Sequence, residues 1–104
     1  MAPVILLSLL LVVACNNSES QLSLQVLADY QQGYDGRRVV TEGTVRSFDD
    51  PLHYWIEDQA LNRVAITPDS AVADYVGQRV RVKGVFSASR DAGRVIAAEE
   101  VTVQ

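Results

Sequence analysis

The chain has 104 residues, nine Lys or Arg against thirteen Asp or Glu, and a net charge of −4, which leaves room for one domain around one modest core and excludes a second. The acidic balance repels polyanions, so nucleic acid is not the expected partner, and a single cysteine excludes an intramolecular disulfide. The hydrophobic share of 48% is raised by an uncharged opening stretch; the remainder has an ordinary soluble composition.

That opening stretch is MAPVILLSLLLVVA. Its apolar run from Val4 to Ala14 is shorter than the roughly 20 residues a bilayer span needs, and it has the length of a signal-peptide core. A signal peptide is therefore predicted over residues 1–14. Val12, Val13, Ala14 and Cys15 resemble the lipobox of bacterial lipoproteins, a branched aliphatic and a small residue followed by cysteine. The resemblance implies that Cys15 becomes the first residue of the mature chain, with a diacylglycerol on its thiol and a further chain such as palmitate on its amine. Each buried acyl methylene contributes about 0.8 kcal/mol, so several chains make a stable membrane anchor. It also implies the cell envelope, and Asn16 in place of an aspartate after the cysteine implies the outer membrane, facing the periplasm. Residues 15–21 are then the lipidated cysteine and a polar, flexible tether.

Helix signals begin next. Ser20 or Ser23 can cap, Leu24, Leu27 and Ala28 recur at helical spacing, and Gly33 supplies a stop, so a helix is expected over 23–32. From Arg37 the period changes to two. Val39, Thr41, Gly43 and Val45 share one face of a half-buried strand, and Arg38, Val40, Glu42, Thr44 and Arg46 share the other. His53 to Asp58 makes a second strand, with Tyr54 and Ile56 on one side and His53 and Trp55 on the other. A third, Arg63 to Thr67, buries Val64 and Ile66. Thr67 as cap, Pro68 at a first helical position and Gly77 at a left-handed stop predict a short helix between them. Arg79 to Ala88 alternates again, with Val80, Val82, Gly84 and Phe86 inward and Arg79, Arg81 and Lys83 outward. A turn at Asp91, Ala92 and Gly93 leads to the last strand, Arg94 to Val103, in which Glu99 and Glu100 break the alternation and predict a bulge.

One stretch is written twice: YDGRRVVTEGTV at 34–45 and YVGQRVRVKGVF at 75–86. Five strands with a helix between the third and fourth, a glycine midway along the first, Asp58 closing the second and a fourth of the form GxRVxVxG resemble the OB-fold. The passage from Leu24 to Val45 is similar to the small OB-fold modules of exported bacterial lipoproteins and periplasmic proteins. The resemblance covers residues 22–104 and implies a mainly β, five-stranded Greek-key barrel with an N-terminal helix. In such a barrel the repeated words are two neighbouring strands rather than a doubled ligand site. Gly43 and Gly84 would be their bends, Gly36 and Gly77 the positive-φ residues that lead into them, and Tyr34 and Tyr75 plugs at the seam.

Neither catalysis nor a cofactor is expected. The chain has one histidine, its only cysteine is assigned to lipid, and so no metal site is expected. The adjacent carboxylates Asp49 and Asp50, Glu57 and Asp58, and Glu99 and Glu100 alternate across their strands, which reads as solvated charge and not as acid–base pairs. No serine sits in a nucleophile elbow and no glycine-rich phosphate loop is present. What remains is binding. Arg46, Phe48, His53 and Trp55 form the candidate ligand surface if His53 and Trp55 face outward, since an exposed tryptophan beside arginine is a platform for a ring, a sugar or a protein side chain. The alternative is that the N-terminal helix covers Trp55. Arg79, Arg81 and Lys83 form an outward basic stripe, suited to solvent, lipid phosphates or an acidic partner. The expectation is thus a non-catalytic, lipid-anchored module binding an envelope protein or small ligand. A second reading is an oligonucleotide- or oligosaccharide-binding domain that stacks its ligand on Trp55 and Phe48.

Overall fold

A computed structural model describes residues 20–104. Six strands form one sheet: β1 (Ser20–Gln21), β2 (Arg38–Asp49), β3 (Leu52–Glu57), β4 (Arg63–Thr67), β5 (Arg79–Ser89) and β6 (Gly93–Val103). Five of them close a ring in the order β2, β3, β4, β6, β5 and back to β2, with β4 and β6 parallel and the other contacts antiparallel. The short β1 lies outside the ring, parallel to β2, with Ser20 opposite Val39 and Gln21 opposite Val40. Part of the expected tether is thereby tied down by its backbone.

The period-two reading of the long strands holds because each has one face inside the ring. Val39, Thr41, Gly43 and Val45 of β2 are buried, as are Val80, Val82, Gly84 and Phe86 of β5. Ile56, Val64, Ile66 and Ile96 complete the strand contribution to the core; Leu24 and Leu27 add to it from α1 (Leu24–Asp29), and Val72 from the connection after β4. Fully burying side chains of this kind contributes about 1.5–3 kcal/mol each. Val40 departs from the pattern. It points outward yet is only 8% exposed, walled by Gln21, Arg81 and Lys83.

Both helices are shorter than expected. Ser23 does cap, its hydroxyl accepting from the Val26 N–H at 3.1 Å, but Tyr30 leaves helical geometry at φ −125° and a separate turn, α2 (Gln31–Tyr34), comes after it. The segment between Thr67 and Gly77 is two 3-10 turns, Asp69–Ala71 and Ala73–Tyr75, in place of a helix. Thr67 ends β4 and does not cap; Pro68 stands outside the first turn. Only Val72 of this segment is fully buried, and two tight turns around it deliver that one side chain without the apolar stripe a longer helix would need.

The repeated words pair with each other. Thr41 lies opposite Val82, Glu42 opposite Arg81 and Val40 opposite Lys83. Thr41 and Val82 hold the same place in the two copies, so an approximate twofold axis passes between them. The end contacts obey it. Gly36 N–H donates to Phe86 O at 2.7 Å as Gly77 N–H donates to Val45 O at 2.8 Å, and Phe86 N–H donates to Arg37 O at 2.8 Å as Val45 N–H donates to Gln78 O at 2.9 Å. The chain leads into each strand through a positive-φ glycine, Gly36 at +84° and Gly77 at +89°, the region a side chain disfavours. Tyr34 and Tyr75, two residues ahead of these glycines, pack half-buried against the core.

Gly84 is required by close approach as well as by curvature. A Cβ there would stand 2.1 Å from the carbonyl oxygen of Ala97. The approach coincides with a bulge, because Lys83 faces Glu100 while Gly84 faces Ala98. Glu99 is the extra residue, and its carboxylate takes a two-pronged contact from Arg38 at 2.7 and 2.8 Å.

Candidate ligand-binding face

The register that closes the ring also assembles an outward ladder of side chains. Across β2 and β3, Arg46 lies opposite Trp55 and Phe48 opposite His53; across β3 and β4, Trp55 lies opposite Ala65 and Glu57 opposite Arg63. Cross-strand partners project from the same face, so Arg46, Phe48, His53 and Trp55 come together. Their rings form a file: Phe48 and His53 have centroids 6.1 Å apart, tilted by 58°, and His53 and Trp55 are 5.1 Å apart at 31°. The guanidinium of Arg63 lies 5.0 Å from the centre of the Trp55 ring, within cation–π range.

The N-terminal helix does not cover Trp55. The indole is half-buried and borders an open cleft of about 310 Å³ with His53, Arg63, Ala65, Gly93 and Arg94. Phe48 is 55% exposed. Beneath the ladder Glu57 acts as a hub, its side chain 12% exposed. It accepts from Trp55 Nε1 at 2.9 Å and pairs with Arg46 at 3.3 Å and Arg63 at 3.2 Å. The Trp55 N–H first, and then the two arginines, hold its carboxyl below the usual glutamate value against the opposing effect of burial. His53 Nδ1 is 2.7 Å from the Pro51 carbonyl oxygen. A carbonyl only accepts, so Nδ1 carries the proton and Nε2 is left as the second polar position.

Further participants were not apparent as a group. Glu57 and Asp58 do diverge as alternation requires, but neither is idle surface charge: Asp58 accepts from the N–H groups of Ala60 and Asn62, each at 2.9 Å, and from Asn62 Nδ2 at 2.8 Å, closing the β3–β4 loop. Arg63 joins the face from β4, and Arg94, at the start of β6, lines the edge of the cleft, its Nε donating to the Arg63 carbonyl at 3.0 Å. Pairing Glu57 with Arg63 across a five-residue loop is the one sequence signal that could have drawn Arg63 in.

The outward basic stripe is largely neutralised. Glu42 pairs with both Arg79 and Arg81 at 3.2 Å, and Lys83 reaches Glu100 at 3.9 Å. Arg81 foremost keeps the Glu42 carboxyl below its usual value. Cys15 and the expected signal peptide lie outside the described residues. Among the described residues no helix is long and apolar enough to cross a membrane, and no cluster of three or more His, Cys, Asp or Glu is arranged to hold a metal. Compared with known proteins, the chain matches no family model and no curated protein sequence.

Proposed function

We propose that residues 22–104 form an OB-fold module, that Cys15 anchors it through lipid to the outer membrane on the periplasmic side, and that it is a non-catalytic binder of an envelope protein or small ligand. The closed order of five strands, with a parallel β4–β6 contact and a short connection between β4 and β5, fits that Greek-key barrel. Such barrels commonly carry ligands on their second and third strands, which correspond here to β3 and β4. The observation that carries the reading is Trp55, half-open, with His53 and Arg63 against its ring and Phe48 extending the file. An aromatic file beside guanidinium groups suits contact more than chemistry. Glu57, the one carboxylate beneath it, is fully engaged as an acceptor and is poorly suited to donate a proton.

A photoreactive phenylalanine analogue in place of Phe48, irradiated in intact cells, should give a discrete adduct that the same analogue at Thr102 does not. Adducts of equal yield at both positions, or none at Phe48, would remove the face from consideration. For the anchor, Cys15→Ser should move the protein out of the membrane fraction with loss of acyl labelling; membrane retention at unchanged mass would refute it. The stacked rings also favour the second reading, an oligonucleotide or oligosaccharide. Labelled single-stranded DNA titrated at two salt concentrations tests its nucleic-acid version, which fails if no affinity appears at low salt.

A further inference from the structure

The strand arginines differ in how they are used. Arg38, Arg46, Arg63, Arg79 and Arg81 each face a carboxylate within 3.3 Å. Arg94 meets none among the described residues. It is half-buried, held through Nε by the Arg63 carbonyl, and lines the same cleft as His53 and Trp55. A guanidinium fixed by one nitrogen presents its remaining N–H donors in a set direction, the geometry that recognises a carboxylate. Arg63, its guanidinium against the indole, lines the same cleft.

We propose that this cleft takes a small planar carboxylate, its ring against His53 and Trp55 and its oxygens on the N–H groups of Arg94 and Arg63. The inference rests on the binding face proposed above and names its ligand class. Size and charge set the class together. About 310 Å³ is at the lower limit of small-ligand sites, enough for one ring and its substituent. Asp49 ends β2, Asp50 stands in the turn between β2 and β3, and Asp91 in the turn between β5 and β6. A polyanion laid along the file would run its charges past these acids, whereas one carboxylate seated at Arg94 would not.

The sole tryptophan supplies a unique reporter. In the full chain, held in a zwitterionic detergent and labelled with nitrogen-15, the Trp55 indole N–H resonance is followed during titration with benzoate or with benzamide, its neutral isostere. Benzoate should bind about tenfold more tightly than benzamide, the range of one charge-assisted contact at a partly exposed site, and added salt should narrow the ratio. Arg94→Gln should bring the ratio close to one. Arg94→Lys, which keeps the charge and loses the fork, should retain part of the preference. Equal binding of the two probes to the unaltered chain overturns the carboxylate site and leaves the ring-binding face standing; no response to either overturns the site and counts against the face as a small-ligand surface.

Discussion

Replacing Thr41 with valine should stabilise this protein. Thr41 is fully buried inside the ring, and its hydroxyl oxygen has no hydrogen-bond partner among the described residues. Its counterpart across the approximate twofold axis, Val82, occupies an equivalent buried position with a side chain of the same shape. Leaving a hydroxyl buried and unpaired costs about 1–3 kcal/mol relative to solvating it, and valine fills the same volume with a methyl group that prefers the core. The net gain should be about 1–2 kcal/mol. For a domain of this size that is roughly 4–8 °C in Tm per kcal/mol, or a urea midpoint raised by about 1–2 M at an unchanged m-value near 1 kcal/mol/M. Thr41→Ser is the matched control. It keeps the hydroxyl and deletes the methyl, so it should destabilise by about 1 kcal/mol. Reversible urea unfolding followed by Trp55 fluorescence reads all three proteins. If Thr41→Val lowers the midpoint or leaves it unmoved, the hydroxyl is satisfied in solution and the reasoning fails.

Two other outcomes can be measured on the same footing. Gly84→Ala should cost more than Gly77→Ala in midpoint shift, because the added Cβ meets the fixed carbonyl of Ala97 at 2.1 Å while the one at Gly77 meets only open space and an unfavourable φ; equal costs would mean that the strand approach at the bulge is slack. Glu57 has a folded-state pKa below its ordinary value of 4.5, so the stability it contributes is present above that value and is lost as pH falls toward the folded pKa. Glu57→Gln should therefore flatten the acid limb of the stability profile below about pH 4.5, and a variant with the same acid limb as the parent would show that the hub does not couple ionisation to folding.

The strands were legible because each long one has a single buried face, which stamps a period of two on the residues: Val39 with Val45, and Val80 with Phe86, declare their inward side unaided. The bulge was legible for the same reason, since Glu99 and Glu100 interrupt that period. The helices were less so. Capping and stop residues mark where a turn begins and ends, but they do not fix its pitch, and between Thr67 and Gly77 one buried valine was all the core required. β1 left no mark at all, for Ser20 and Gln21 are joined to β2 by backbone pairing and have no apolar pattern to display. Of the candidate face, the four residues on β2 and β3 could be gathered from a single hairpin. Arg63 needed the next hairpin as well, its pairing with Glu57 across the β3–β4 loop, and Arg94 could not be gathered, because its place depends on β4 and β6 meeting in parallel, a relation between distant segments.

The twofold relation between the repeated words creates a problem of partner choice that their differences resolve. Two strands so alike could each pair with a duplicate of themselves on another chain. A second copy of the 75–86 segment, turned about Val82, would bring Arg81 against Lys83, two like charges face to face. A duplicate of the 34–45 segment, turned about Thr41, would set Glu42 against Val40 and leave its carboxylate without an arginine. Only the mixed pairing puts Glu42 opposite Arg81, and like charges directly opposed on a sheet are destabilising where unlike ones help. The few positions at which the copies disagree thus act as an address, directing each strand to the other within its own molecule and away from its twin in the next.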